Sequence, residues 1–165
     1  MNGDGYADVI IGAPLSGTGA AYIHMGGPGG LAGAAALTLT GGSLFGTSVA
    51  PAGDVNTDGY ADVIGGAFLY DAGQTDEGAA FVYHGGPDGL STTADWMTEG
   101  SHQYHARYGM IASAGDVNGD GYADVVVGEP EYDGGQSDEG RTYVYYGSAT
   151  GLSLTAHWTA EGGQD

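Results

Sequence analysis

One ten-residue phrase recurs along this chain and constrains its fold more than any other feature. Asp54-Val55-Asn56-Thr57-Asp58-Gly59-Tyr60-Ala61-Asp62-Val63 returns as Asp116-Val117-Asn118-Gly119-Asp120-Gly121-Tyr122-Ala123-Asp124-Val125. The chain opens partway through a third copy, Asn2-Gly3-Asp4-Gly5-Tyr6-Ala7-Asp8-Val9. Asp4 and Asp58 lie 54 residues apart, and Asp58 and Asp120 lie 62 apart. Self-similarity at such a period marks an array of stacked units, each unable to bury its apolar face alone. A unit of this length is too long for a simple helical solenoid and suits a four-stranded blade with generous loops.

The similarity continues past the loops. Gly12-Ala13-Pro14 aligns with Gly66-Ala67-Phe68 and Gly128-Glu129-Pro130. Gly26-Gly27-Pro28-Gly29-Gly30-Leu31 aligns with Gly85-Gly86-Pro87-Asp88-Gly89-Leu90 and Gly147-Ser148-Ala149-Thr150-Gly151-Leu152, and Leu37 with Trp96 and Trp158. Each unit reads as four short strands rich in Val, Ile, Tyr and Thr and bounded by Gly, Asp or Pro. Strand A is expected at Phe45–Ala52 and Tyr108–Ala114. Strand B is expected at Ala7–Gly12, Ala61–Ala67 and Ala123–Gly128, and strand C at Ala20–Met25, Ala79–His84 and Arg141–Tyr146. Strand D falls near Ala35–Thr40, Ala94–Thr98 and Leu154–Thr159. No segment carries a helical period. The expected fold is therefore all-β: one partial β-propeller of about three blades, 1–41, 42–100 and 101–165, the first without its innermost strand.

Composition agrees. Glycine supplies 35 of 165 residues without a three-residue period, which excludes collagen, and a hydrophobic share of 41% excludes a disordered chain. The balance of 21 acids against Arg107 and Arg141 gives a net charge of -19. Nothing on such a chain can neutralise phosphates, so a nucleic-acid partner is excluded, and an anionic membrane surface would repel it. There is no cysteine, hence no disulfide or thiolate chemistry. No stretch is apolar enough to span a membrane, and no signal-peptide pattern opens the segment.

The recurring phrase is itself a chemical statement. Its positions 1, 3, 5 and 9 offer side-chain oxygens, and position 7 can offer a backbone carbonyl. The second copy supplies Asp54, Asn56, Asp58, Tyr60 through its backbone, and Asp62; the third supplies Asp116, Asn118, Asp120, Tyr122 and Asp124. The first is incomplete, with Asn2, Asp4, Tyr6 and Asp8. Hard oxygen donors in a tight loop favour Ca2+, which takes six to eight of them in loose geometry, over Mg2+. No histidine or thiolate is placed to favour zinc. An EF-hand is excluded, because position 12 is Gly65 or Val127 rather than a glutamate and the flanks read as strands. The bland alternative is an Asx-rich hairpin turn, set against the repulsion of converging carboxylates. Two complete calcium sites and one partial site are expected, structural rather than catalytic, coupling metal binding to folding.

With these residues in view, the chain resembles the FG-GAP repeats of integrin α-subunit β-propellers and of bacterial extracellular proteins. Phe45-Gly46 and Tyr108-Gly109 match the FG element, and Gly12-Ala13-Pro14 is a literal GAP. Gly66-Ala67-Phe68 loses the proline and Gly128-Glu129-Pro130 the alanine. Tyr108 to Asp116 is one residue shorter than Phe45 to Asp54, which leaves the strand A register open. The resemblance implies an extracellular or secreted adhesion or protein-interaction scaffold, not an enzyme. A carbohydrate-binding propeller and a non-catalytic module of a larger secreted enzyme are the alternatives.

Loops alternate between two faces. The A–B loops and C–D turns share one, the B–C and D–A loops the other. The resemblance implies that the second face carries ligand, through Tyr70, Asp71, Gln74 and Asp76 and their counterparts Tyr132, Asp133, Gln136 and Asp138. The alternative is that these residues cap their hairpins. His102 and His105 read as a solvated D–A loop rather than a metal site. Trp96 and Trp158, with Tyr6, Tyr60 and Tyr122, read as packing between blades. Three blades do not close a ring, so the expectation is a homodimer that completes one or a fragment of a longer propeller. The partner, protein or glycan, is not specified by the sequence.

Overall fold

The computed structural model describes residues 1–71, 73–100, 106–135 and 137–163. Among them are eleven strands and no helix, arranged as three antiparallel sheets. The first sheet is β1 (Val9–Ala13), β2 (Ala20–His24) and β3 (Leu37–Leu39), paired in that order. The second is β4 (Phe45–Gly53), β5 (Asp62–Ala67), β6 (Ala79–Tyr83) and β7 (Trp96–Glu99). The third repeats it with β8 (Met110–Gly115), β9 (Asp124–Glu129), β10 (Arg141–Tyr145) and β11 (Trp158–Glu161). These are propeller blades, and the first lacks strand A. The final strand starts later than Leu154, because Trp158 rather than Leu154 pairs with Val144.

The one-residue difference between the two A strands resolves as a bulge. Strand β4 shifts register twice along β5, between Phe45 and Ser48 and between Pro51 and Gly53. Strand β8 shifts only once along β9, between Ser113 and Gly115. Gly53 and Gly115 take φ of 86° and 71°, a left-handed backbone that a side chain would strain.

Blades join through their aromatic–glycine elements. Phe45 bridges Gly19 of the first blade, and Tyr108 bridges Gly78 of the second. A β-carbon on Gly12 or Gly66 would collide with the carbonyl of Gly46 or Gly109, so glycine is what lets the next blade approach. Phe45 is wholly buried, edge-on to Phe81 at 5.7 Å and Tyr83 at 6.1 Å. Tyr108 is its counterpart, 5.3 Å from Tyr143, with its hydroxyl 2.7 Å from that of Tyr145. Burial of this kind contributes roughly 1.5–3 kcal/mol for each large side chain. Trp96 extends the joint, donating from Nε1 to the Ser153 carbonyl at 2.8 Å and lying 5.1 Å from Tyr145. Trp158 is 52% exposed, and no sheet packs against it among the described residues.

Candidate functional site

The three recurring loops fold alike, and hydrogen bonds from Asp and Asn set their shape. In the second loop, Asp54 Oδ1 and Oδ2 accept the amides of Asp58 at 3.1 Å and Gly59 at 2.9 Å. Asn56 Oδ1 also accepts from Asp58 N, and Asp58 Oδ1 accepts from Tyr60 N at 2.9 Å. The third loop repeats this through Asp116 with Asp120 and Gly121, Asn118 with Asp120, and Asp120 with Tyr122. Gly59 and Gly121, with φ of 93° and 94°, close the tips. These are chained Asx turns.

Within each loop the donors segregate. Asn56 Nδ2 donates to Asp58 Oδ2 at 3.0 Å, as Asn2 does to Asp4 and Asn118 to Asp120. This hydrogen bond occupies one acceptor site of the position 5 carboxylate and leaves its charge in place. The position 9 aspartate is tied to backbone amides. Asp62 is buried and accepts Val55 N through Oδ2 and Gly85 N through Oδ1, both at 2.8 Å. Asp124 binds Val117 N and Gly147 N in the same way, and Asp8 binds Gly26 N. Each of these residues clamps the A–B loop to the C–D turn of its own blade, a role the ligand pattern did not disclose. Burial raises the Asp62 carboxyl above its usual range despite the two amides. Among the described residues, no three His, Cys, Asp or Glu side chains gather as a metal cluster.

The loops also connect blades. Gly86 N donates to the Met1 carbonyl and Ser148 N to the Val55 carbonyl, each at 3.1 Å, so each C–D turn holds the loop before it. Ala123 N donates to the Asp54 carbonyl at 3.0 Å. Tyr60 lies against Gly3 of the preceding loop, as expected for a residue between blades; Tyr122 is half-buried and Tyr6 is 47% exposed. The sequence signal for these joints was present in the glycine that opens each Gly-Gly or Gly-Ser turn. A β-carbon on Gly85 would stand 3.0 Å from the Met1 carbonyl of the preceding blade, and one on Gly147 would stand 2.7 Å from the Val55 carbonyl.

On the opposite face, the named B–C residues mainly hold their own turns. Asp71 Oδ1 accepts Asp76 N and Asp133 Oδ1 accepts Asp138 N, both at 2.7 Å. Asp76 and Asp138 have φ near 55°. Tyr70 packs edge-on to Phe81 at 5.6 Å, and Tyr132 lies under the Arg141 guanidinium at 5.0 Å. Gln74 is exposed. Gln136, His102 and His105 lie outside the described residues. Arg107 N donates to the Asp76 carbonyl and Arg107 pairs with Glu131 at 2.8 Å, so this face too is stitched between blades.

The donor chemistry of the tips fits a hard cation. Asp54, Asn56, Asp58 and the Tyr60 carbonyl offer only oxygens, as do their third-loop counterparts, and a carboxylate oxygen that accepts one amide retains acceptor capacity. Fold and loops together define a propeller-blade repeat protein with aspartate-rich hairpin tips. Residues 1–65 match the model of the FG-GAP-like repeat and residues 108–145 that of the FG-GAP repeat. Integrin alpha-7 of Rattus norvegicus is 37% identical over 137 residues, 78% of this chain and 12% of its own length. Integrin alpha-6 of Homo sapiens is 35% identical over 136 residues, covering 78% of this chain and 11% of its own. Integrin alpha-5 of Xenopus laevis is 30% identical over 170 residues, covering 93% and 16%. The chain belongs to the FG-GAP repeat family of integrin-like repeats. It spans only 11 to 16% of the length of these relatives.

Proposed function

We propose that the chain is a calcium-stiffened, non-catalytic FG-GAP scaffold that works outside the cell in adhesion or protein interaction. The observation that carries this reading is the threefold repetition of one oxygen-rich loop at the joint between blades. A Ca2+ ion in the second loop would be held by Asp54, Asn56, Asp58 and the Tyr60 carbonyl, with Asp62 at the loop base. In the third it would be held by Asp116, Asn118, Asp120 and the Tyr122 carbonyl, with Asp124. A bound ion would supply Asp58 with the positive charge that the neutral Asn56 amide cannot. The protein's own part is to hold the tip closed through Gly59 and to tie it to the next blade through the Val55 carbonyl. A cation there stiffens the joint and relieves repulsion within a chain of net charge -19.

The open flanks of the first and third sheets extend the reading. Gly128, Glu129, Gly140, Arg141, Thr142 and Gly162 line a cavity of about 460 Å3 on the third sheet. At the matching positions Gly12 and Gly66, the next blade's glycine is seated. A further blade belongs there, from a second copy closing a ring of about six blades or from a longer propeller. Thermal unfolding with and without EDTA tests the metal reading. Chelation should lower the melting temperature by several degrees, and the Asp58→Ala, Asp120→Ala double variant should melt at the chelated value in either buffer. Identical curves for all four samples would remove calcium from the account.

A further inference from the structure

The second and third loops share most of their hydrogen bonds but differ at one position. Asn56 is followed by Thr57, and Asn118 by Gly119. Both following residues lie in the left-handed region, with φ of 55° and 77°. Thr57 carries a β-branched side chain there. Gly119 carries none, and the place a β-carbon would take has no atom within 4 Å. The backbone amides differ too. Gly119 N donates to Asp116 Oδ1 at 2.7 Å, and among the described residues the Thr57 amide has no such acceptor. The side-chain amide of Asn118 is held at both ends: Oδ1 accepts Asp120 N at 3.0 Å, and Nδ2 donates to Asp120 Oδ2 at 2.8 Å.

We infer that Asn118-Gly119 is a self-modification site, at which Asn118 loses its side-chain amide through attack by the Gly119 nitrogen. That nitrogen bonds to Asn118 Cγ, the Cγ–Nδ2 bond breaks, and a cyclic succinimide closes. The proton lost from Gly119 N leaves with Nδ2 as ammonia. Water then opens the ring to aspartate or, through the other carbonyl, to isoaspartate. Each need of the reaction has a group in place. Asp116 Oδ1 is within reach of the proton that must leave Gly119 N, as a general base has to be. Asp120 N stands where negative charge develops on Asn118 Oδ1. The missing β-carbon lets the backbone nitrogen swing toward Cγ. The second loop has the same donor in Asp58 N but lacks both the base contact and the freedom. Asn2-Gly3 repeats the dipeptide, yet the Tyr60 ring stands 2.8 Å from where Gly3 would carry a β-carbon and restricts it. Conversion of Asn118 removes the Nδ2 donor and sets a new carboxylate against Asp120. It therefore opens the third tip irreversibly and leaves the second intact.

The test incubates the 165-residue chain in mildly alkaline buffer with EDTA, so that no cation enters it, and follows each asparagine by peptide mass. The mass gain reports amide loss and does not register isomerisation at the Asp-Gly pairs. Asn118 should convert at least tenfold faster than Asn56, and faster than Asn2. Gly119→Thr, a residue the second loop already accepts at this position, should slow Asn118 to the rate of Asn56. Thr57→Gly should speed Asn56 at least threefold. Asp116→Asn keeps an acceptor but no base. It should slow Asn118 at least threefold in the folded chain and not in concentrated urea, where the dipeptide acts alone. Amide exchange at Gly121 and Tyr122 should quicken in the converted fraction. Equal rates at the three asparagines, or a folded Asp116→Asn chain that converts as fast as its parent, would overturn the inference.

Discussion

The first and second sheets carry the same loop phrase and the same B and C strand pattern, yet they are buried very differently. Val63 and Ile64 of β5 are inaccessible, whereas Val9 and Ile11 of β1 lie open. The difference is the strand beside them. Strand β4 lays Phe45 over Phe81 and Tyr83 and pairs along the whole of β5, and among the described residues no strand plays that part for β1. In this fold a blade's core is made by strand A and by the neighbouring blade, not by the apolar residues of strands B and C alone. Stability should therefore be concentrated in the second sheet, which has a blade on each side.

Substitutions can break or sharpen that contrast. The largest effect should come from Phe45→Ala, which empties a site shared by two blades and should cost ~3–5 kcal/mol in urea unfolding. Asp62→Ala leaves the Val55 and Gly85 amides without their acceptor and should cost ~1–3 kcal/mol. Asp8→Ala, which releases the Gly26 amide at a half-buried site, should fall at the low end of that range. Alkaline titration should separate the third sheet from the second. Burial pushes the Tyr108 and Tyr143 phenols well above 10, and Tyr83 up to about 12. Phenols raised in the folded state contribute stability that is complete below pH 10 and is lost as pH rises through the folded values. The third sheet, with two such phenols in contact, should lose amide protection before the second, where Phe45 replaces one of them. The smallest effect belongs to Val9→Ala, which should change stability by less than ~0.5 kcal/mol because its side chain is already solvated. A value comparable to that of Phe45→Ala would mean that β1 is covered.

Much of this was legible in the residues. Repeat spacing and the Gly, Asp and Pro boundaries placed the strands within a few residues, because turn chemistry is local. Phe45-Gly46 and Tyr108-Gly109 stood out as the FG element, but only the fold shows that they seat one blade against the next. The role of Asp62 was not legible. A ligand pattern and a backbone clamp require the same residue type, and only the fold brings the Gly85 amide to it across 23 residues. The late start of β11 escaped for a similar reason, since Leu154 satisfies strand propensity and pairing alone decides. On the opposite face, Asp71 and Asp133 show why repeated loop acids are a weak sign of a ligand: each is already bonded to an amide of its own turn.

Calcium titration calorimetry on the metal-stripped chain tests most directly whether the recurring loops are cation-holding joints, as proposed. Two ions should bind per chain, with Asp54→Ala removing one and Asp116→Ala the other while the remaining site keeps its affinity. No heat of binding, or a stoichiometry that neither substitution alters, would contradict it.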